Sequence, residues 1–257
     1  MTTFDILTLF PDFFTSTLKE SILGKAQEKG LIQVRVHNIR DFAKDKHHIT
    51  DDTPFGGGAG MVLKPEPVVE ALEKTKDFQR GSQSILLTPQ GKIFTQKVAE
   101  DLIDFPQIIL ICGRYEGVDE RIRNFVDQEI SLGDFILNGG EAAALVIIET
   151  VSRFIPGVLG KEESSRSDSF SAGLLEYPHY TRPRDFRGFT VPDVLISGHH
   201  KEITRWRLRE SLKRTVLRRP DLLENKKLSS EERELLKDIK KELTSLQEKR
   251  YESVGDN

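Results

Sequence analysis

The chain has 257 residues, 37% of them hydrophobic and 31% charged, with a formal net charge of −3 and one cysteine. That length suits one large domain or two smaller ones, and that balance suits a chain that buries a core and stays in solution. The lone cysteine excludes an internal disulfide framework, and the near-neutral total means that nucleic-acid binding must be sought in local patches.

The N-terminus lacks the basic and long apolar regions of a signal peptide. No run is long enough to span a membrane, so the expected address is the cytoplasm. Phe4 to Phe10 reads as a strand stopped by Pro11, and Phe13 to Lys29 as a helix ended by Gly30. Ile32, Val34 and Val36 alternate as in a half-buried strand. A polar loop, Asp41 to Gly60, follows. The pattern then predicts a helix at Glu66–Lys76, a strand at Ser84–Thr88 and a helix at Thr95–Asp104. A buried strand is expected at Gln107–Cys112, a short helix at Val118–Phe125, a short strand at Glu129–Leu132 and an apolar helix at Glu141–Phe154. Such alternation predicts an α/β fold with a mostly parallel sheet covered on both faces. Cys112 ends an apolar run and reads as a buried structural thiol.

Composition changes near Gly157. A first domain is expected over 1–160, a polar flexible linker over 161–169 and a mainly helical domain over 170–257. Ser229 and Glu232 have the spacing of a capping box, and Leu235, Leu236, Ile239, Leu243 and Leu246 form a packing stripe behind it. The last residues, from Arg250, read as a frayed tail.

Four features bear on chemistry. Phe55–Met61 is glycine-rich but lacks the Gly-Lys-Ser/Thr of a P-loop; it is either a flexible loop or a ligand contact. No Gly-x-Gly-x-x-Gly follows the first strand, so the usual dinucleotide half is absent. Glycine- or proline-marked loops instead follow three other strands, at Leu87–Gly91, Gly113–Gly117 and Gly133–Gly140. If those strands are neighbours, the loops converge at one end of the sheet, where open α/β folds bind ligands. Lys201, Arg205, Arg207, Arg209, Lys213, Arg214, Arg218 and Arg219 are opposed only by Glu202 and Glu210. Lys201, Arg205, Arg209 and Lys213 step by four, so this helix presents either a polyanion-binding stripe or a solvated face. His47, His48, Asp51 and Asp52 offer either a metal site or a solvated loop. Asp168 ends the polar linker just before Phe170, where closure would desolvate it and make it a better base.

Several motifs together resemble one family. They are Leu9-Phe-Pro11, Pro54-Phe-Gly-Gly-Gly-Ala-Gly-Met61, Pro89-Gln-Gly91, Cys112-Gly-Arg-Tyr-Glu-Gly-Val-Asp-Glu-Arg121, Gly133-Asp-Phe-Ile-Leu137 with Gly139-Gly-Glu141, Ser152-Arg-Phe-Ile-Pro-Gly-Val-Leu-Gly160, Asp168-Ser-Phe170, Pro178-His-Tyr-Thr-Arg-Pro183, and Arg205-Trp-Arg-Leu208 with Leu217-Arg-Arg-Pro220. In order and spacing, as far as about Asn225, they resemble the bacterial tRNA (guanine-N1-)-methyltransferases, TrmD. The resemblance implies a SPOUT-type trefoil-knot α/β domain that binds S-adenosylmethionine, a helical tRNA-binding domain, and a homodimer with the active site between protomers. The implied reaction is methylation of N1 of guanosine 37 of tRNA. By the same resemblance the cofactor residues are Leu87, Thr88, Pro89, Gly113, Tyr115, Glu116, Gly117, Leu132, Gly133, Asp134, Phe135, Ile136, Leu137, Gly139 and Gly140. Asp168 falls on the general base and Arg153 on the arginine that stabilises the guanine. The family's magnesium has no dedicated ligand cluster in this sequence, and any ion is expected at the substrate or near carboxylates such as Glu116. The chain departs from the family pattern at Phe135, where tyrosine is frequent, at Ala142-Ala143, where Leu-Pro is, and at Glu176, where aspartate is.

Overall fold

The computed structural model describes residues 1–160, 168–224 and 226–255, with side chains as far as Ser245. The chain divides into two compact units, Met1–Glu162 and Glu163–Asn257.

The first unit is built on five parallel strands in the order β2-β1-β6-β5-β7. They are β1 (Thr2–Thr8), β2 (Ile32–Asn38), β5 (Ser82–Ile93), β6 (Gln107–Cys112) and β7 (Gln128–Ser131). Two short strands, β3 (Asp51–Asp52) and β4 (Val62–Leu63), pair separately and antiparallel. Helices α1 (Ser21–Glu28), α3 (Gln96–Leu102) and α4 (Glu141–Ser152) pack on one face of the large sheet, around Phe4, Ile6, Ile108, Leu110 and Cys112. Helix α2 (Pro65–Thr75) and the 3-10 turns Ile39–Phe42 and Glu120–Phe125 cover the other face, around Leu7, Leu86, Ile109 and Ile111. All six residues of β6 are buried, which explains its unbroken apolar run: both faces of a central parallel strand are covered.

Two expected elements change on inspection. The helix read over Phe13–Lys29 is two 3-10 turns, Pro11–Phe14 and Thr17–Lys19, followed by α1. Backbone crowding at Gly24 shows the reason for the break. A Cβ there would meet the Lys19 carbonyl, so the chain folds back too closely for one continuous helix. The strand read over Ser84–Thr88 runs on to Ile93, but with an interruption. Leu87 and Lys92 both align with Ile130, so residues 88–91 leave the ladder and return to the same rung. Gly91 makes this possible, because a side chain there would strike the β7 backbone at Glu129 and Ile130.

A polar cluster lies inside the sheet. Asp5 on β1 is 0% exposed, and its carboxylate accepts from Arg35 Nε and Nη2 at 2.7 Å each and from Gln107 Nε2 at 2.7 Å. His37 Nε2 lies 2.6 Å from the same carboxylate. Burial alone pushes this carboxyl's pKa up, but hydrogen bonds from His37, Arg35 and Gln107, with the Arg35 charge, outweigh it and hold it below its ordinary value.

The second unit is mainly helical: α5 (His200–Arg218), the short α6 (Asp221–Glu224) and α7 (Ser230–Gly255). Leu174, Leu212, Leu235 and Ile239 form its core. The capping box is made at both ends, Ser229 N–H to Glu232 Oε2 at 2.7 Å and Glu232 N–H to Ser229 Oγ at 3.1 Å. A hairpin absent from the sequence reading, β8 (Asp185–Phe186) with β9 (Phe189–Thr190), precedes α5. Among the described residues no helix is long and apolar enough to cross a membrane.

A depressed carboxyl pKa contributes stability above the unfolded-state value, about 3.9, and loses it as pH falls through the lower folded-state value. The melting temperature is therefore expected to fall as the solution is taken below about pH 4. Asp5→Asn should be about 2 kcal/mol less stable than wild type at pH 7 and should lack that part of the acid slope. Melting curves of both proteins from pH 3 to 7 check this; parallel curves would remove Asp5 from the account.

Candidate active site

The three loop candidates belong to three neighbouring parallel strands, in the order β6-β5-β7: two follow β6 and β7, and the first is the interruption within β5. Their carboxyl ends therefore lie along one edge of the sheet, and the loops leave from the same side. Leu87 is buried at the end of the regular β5 ladder, Thr88 is half-buried and Pro89 is exposed. Gly113 and Gly117 are half-buried, while Tyr115 and Glu116 are exposed between them. Leu132 and Gly133 are half-buried, Asp134 to Leu137 are exposed, and the chain returns through half-buried Gly139 to buried Gly140.

The second and third loops are laid directly on one another. Arg114 and Gly139 form an antiparallel bridge, and Gly140 N–H donates to the Gly113 carbonyl at 3.0 Å. A Cβ at Gly140 would stand 2.6 Å from Cys112 Cα, so only glycine permits this approach. Arg114 fastens the contact. Its Nε donates to Glu141 Oε2 at 3.1 Å, its Nη1 donates to the Asn138 carbonyl at 3.2 Å, and its guanidinium lies 4.3 Å from the Phe10 ring centroid. The buried Glu141 carboxylate also accepts from Thr8 Oγ1 at 2.8 Å, which ties the start of α4 to the end of β1. Cys112 is buried beneath. Desolvation, with the nearby Glu141 charge, raises its pKa well above the ordinary thiol value, so the thiol stays protonated.

The glycine-rich loop is part of the same construction. Gly56, Gly57, Gly58 and Gly60 have positive φ. The chain then runs beside the second loop: Glu116 N–H donates to the Met61 carbonyl at 3.0 Å and Leu63 N–H to the Gly117 carbonyl at 3.0 Å. A Cβ at Gly60 would fall 2.6 Å from Glu116 Cγ. Of the two readings left open, flexible loop or ligand contact, the geometry thus adds a third element, a brace behind Glu116. His48 Nδ1 lies 2.9 Å from the Arg40 carbonyl. Among the described residues no three His, Cys, Asp or Glu side chains come together as a metal site.

The two residues expected to do chemistry belong to other elements of the chain. Arg153 caps the C-terminal end of α4, half-buried. Helix α4 begins at the third loop and rises 12 residues, roughly 18 Å. Within the first unit it carries Arg153 away from the strand-end loops. Asp168 belongs to the second unit. Most of the expected linker, 161–167, lies outside the described residues, but Asp168 and Ser169 sit in an ordered turn. The Asp168 carbonyl accepts from Ser171 N–H at 3.3 Å, Phe170 N–H donates to the Leu174 carbonyl at 2.8 Å, and Glu176 N–H donates to Ser169 Oγ at 3.0 Å. Lys226 Nζ holds the Ala172 carbonyl at 2.7 Å, and Leu175 N–H donates to Thr215 Oγ1 on α5 at 2.9 Å. Glu176, one of the departures, pairs with His179 at 2.7 Å.

Three of the four residues of the basic stripe of α5 are paired with acids of α7. Lys213 Nζ binds Glu242 Oε1 at 2.6 Å, Arg209 pairs with the same carboxylate, and Arg205 reaches Glu234 at 3.7 Å. Leu208 and Leu212, beside the stripe, pack on Leu235 and Ile239 of α7. The stripe therefore turns largely toward α7. Lys201, Arg207 and Arg218 remain exposed, with Arg207 4.9 Å from the Tyr177 ring centroid.

Sequence reasoning missed Arg114 and Glu141. Their only signal is position: an arginine directly after Gly113, and an acid directly after Gly139-Gly140, at the first residue of a helix.

A parallel α/β sheet with glycine-marked loops at one end and no dinucleotide fingerprint defines the class as an α/β protein outside the usual dinucleotide-binding kind. The chain belongs to the tRNA (Guanine-1)-methyltransferase TrmD family, whose model matches residues 2–225. It is 58% identical over 239 residues, 93% of this chain and 97% of the relative, to a tRNA (guanine-N(1)-)-methyltransferase of Geotalea uraniireducens. The identity is 54% over 239 residues to the protein of that name from Dictyoglomus turgidum, again with 93% and 97% covered. A Bacillus cereus protein of the same name is 56% identical over 238 residues, 92% and 98% of the two chains.

Gly140→Ala tests the loop contact. The added methyl meets β6 backbone, so a loss of about 2 kcal/mol in urea unfolding is expected, against a few tenths for Ala at exposed Gly160, where no neighbour lies within 4 Å.

Proposed function

We propose that this protein transfers a methyl group from S-adenosylmethionine to N1 of guanosine 37 of tRNA, in the cytoplasm. The observation that carries the reading is the gathering of three loops on adjacent parallel strands, the second and third laid on one another, in a chain whose relatives bear that enzyme's name. Its fold would be the SPOUT-type trefoil-knot domain. The excursion of residues 88–91 out of the β5–β7 ladder and back supports an unusual chain path at that edge.

The loops fit the cofactor in kind. Adenine offers two apolar faces and an edge of donors and acceptors, and the loops offer backbone groups beside Leu87, Leu132, Phe135 and Leu137. Gly117 has φ 129° and open space where a Cβ would stand, which leaves room at the backbone. Thr88, Pro89, Gly113, Tyr115, Glu116, Gly133, Asp134, Ile136, Gly139 and Gly140 complete the set. Bound there, the cofactor supplies an electrophilic sulfonium methyl.

The chain's own residues prepare the acceptor. Guanine N1 carries a proton at neutral pH, and Asp168 takes it. Negative charge then spreads toward O6, where the permanently charged Arg153 stabilises it. Arg153 stands a helix length from the loops in its own unit, so a homodimer with the site shared between protomers is the arrangement that uses both. The exposed Phe135 and Ile136, at 54% and 80%, suit a loop covered by a second copy. The second unit's exposed Lys201, Arg207 and Arg218 would meet tRNA phosphate.

Methyl transfer to unmodified transcripts with and without guanosine 37 tests the reading; equal methylation of both would overturn it. Asp168→Ala should lose about 100-fold or more in single-turnover rate while binding S-adenosylmethionine normally by calorimetry. Full turnover in that variant removes Asp168 as the base.

A further inference from the structure

The β8–β9 hairpin is a built tip with no task in the mechanism above. Its two connecting residues, Arg187 (φ 57°) and Gly188 (φ 85°), both lie in the left-handed region that a type I′ turn demands. Asp185 Oδ1 accepts from Gly188 N–H at 3.1 Å and closes the turn from inside. Phe186 and Phe189 are cross-strand partners, so their side chains leave the hairpin on the same face. They stay 60% and 81% exposed. Arg187 lies over the Phe186 ring, 5.2 Å from guanidinium carbon to centroid. Two exposed phenyl side chains thus share one face of the hairpin, with a guanidinium over the ring of Phe186 and the ring of Phe189 more exposed. The segment carries three arginines, Arg182, Arg184 and Arg187: Arg184 pairs with Asp193 at 2.8 Å, and the acid within the hairpin, Asp185, is engaged in the turn.

We propose that this tip is a stacking platform for an unpaired nucleobase of the tRNA, with Arg187 toward the adjoining phosphate; the proposal rests on the tRNA reading above. Every base has a π-face that an aromatic ring can receive, and the flanking phosphate supplies the charge that Arg187 complements. A purely apolar partner surface matches the rings but leaves the guanidinium without a counterion, so the observations favour nucleic acid over a second copy of the chain.

The test compares tRNA affinity, S-adenosylmethionine affinity and sedimentation for wild type, Phe186→Leu/Phe189→Leu and Phe186→Tyr/Phe189→Tyr. Leucine keeps the apolar contact and removes the π-face; tyrosine keeps both. The leucine pair should bind unmodified transcript about tenfold more weakly, the scale of one lost base stack. Its cofactor affinity and sedimentation should be unchanged, and the tyrosine pair should stay within about twofold of wild type on the same scale. Wild-type tRNA affinity in the leucine pair overturns the proposal. So does an equal loss in both pairs, or a changed sedimentation coefficient, which assigns the face to a second copy. Failure of the tRNA reading itself shows separately, as absence of guanosine-37 methylation by the wild-type enzyme.

Discussion

The first unit depends on one close approach of backbone to backbone, where Gly139 and Gly140 settle on Cys112 to Arg114. No side chain fits between them, so the third loop is held by the second at hydrogen-bond distance. The buried Glu141 then has two partners ready, Arg114 from the second loop and Thr8 from β1. A buried carboxylate is tolerable only when paired and hydrogen-bonded, and here that requirement welds two strand ends and a helix start into one piece. The second and third loops thereby form a preformed edge, and the proposed cofactor would lose less to ordering there.

The second unit solves a different problem. Its turn after residue 167 is held from below by Thr215, which is itself buried on α5, and from the side by Lys226. Asp168 thus begins on a fixed base although it follows a polar segment. In the proposed reaction, positioning of a proton acceptor would matter as much as its basicity, and this turn would supply position. The pairing of α5 with α7 through Glu242 explains why so basic a helix packs at all.

Much of this was legible in the sequence, for definable reasons. The alternating elements of the first unit were visible because an unbroken apolar run such as Gln107–Cys112 has few other uses in a chain of this composition. The loops were visible because glycine marks tight backbone. Arg114 and Glu141 were hidden because an ion pair between residues 27 positions apart leaves no periodic trace. The Asp5 cluster was hidden for the same reason: an acid within an apolar strand looks like an exception until Arg35, His37 and Gln107 arrive from two other strands. The α5 stripe misled in part, since spacing by four shows that side chains share a face but not which neighbour that face meets. The hairpin escaped because Arg187-Gly188 is not the asparagine- or aspartate-glycine pair that usually advertises such a turn.

The strand order also carries a consequence for the life of the chain before it is complete. β1 is flanked by β2 and β6, and β6 by β1 and β5, so the strand made first waits for a neighbour that begins at Gln107. Until then a ribosome-bound chain has β1 and β2 paired with a bare sheet edge and no α4 to cover Phe4 and Ile6. Edges of that kind attract other chains. Synthesis at about 5–20 residues per second leaves this state standing for several seconds. The bare edge of β1 is covered once β6 emerges, and the face of Phe4 and Ile6 is closed once α4 follows.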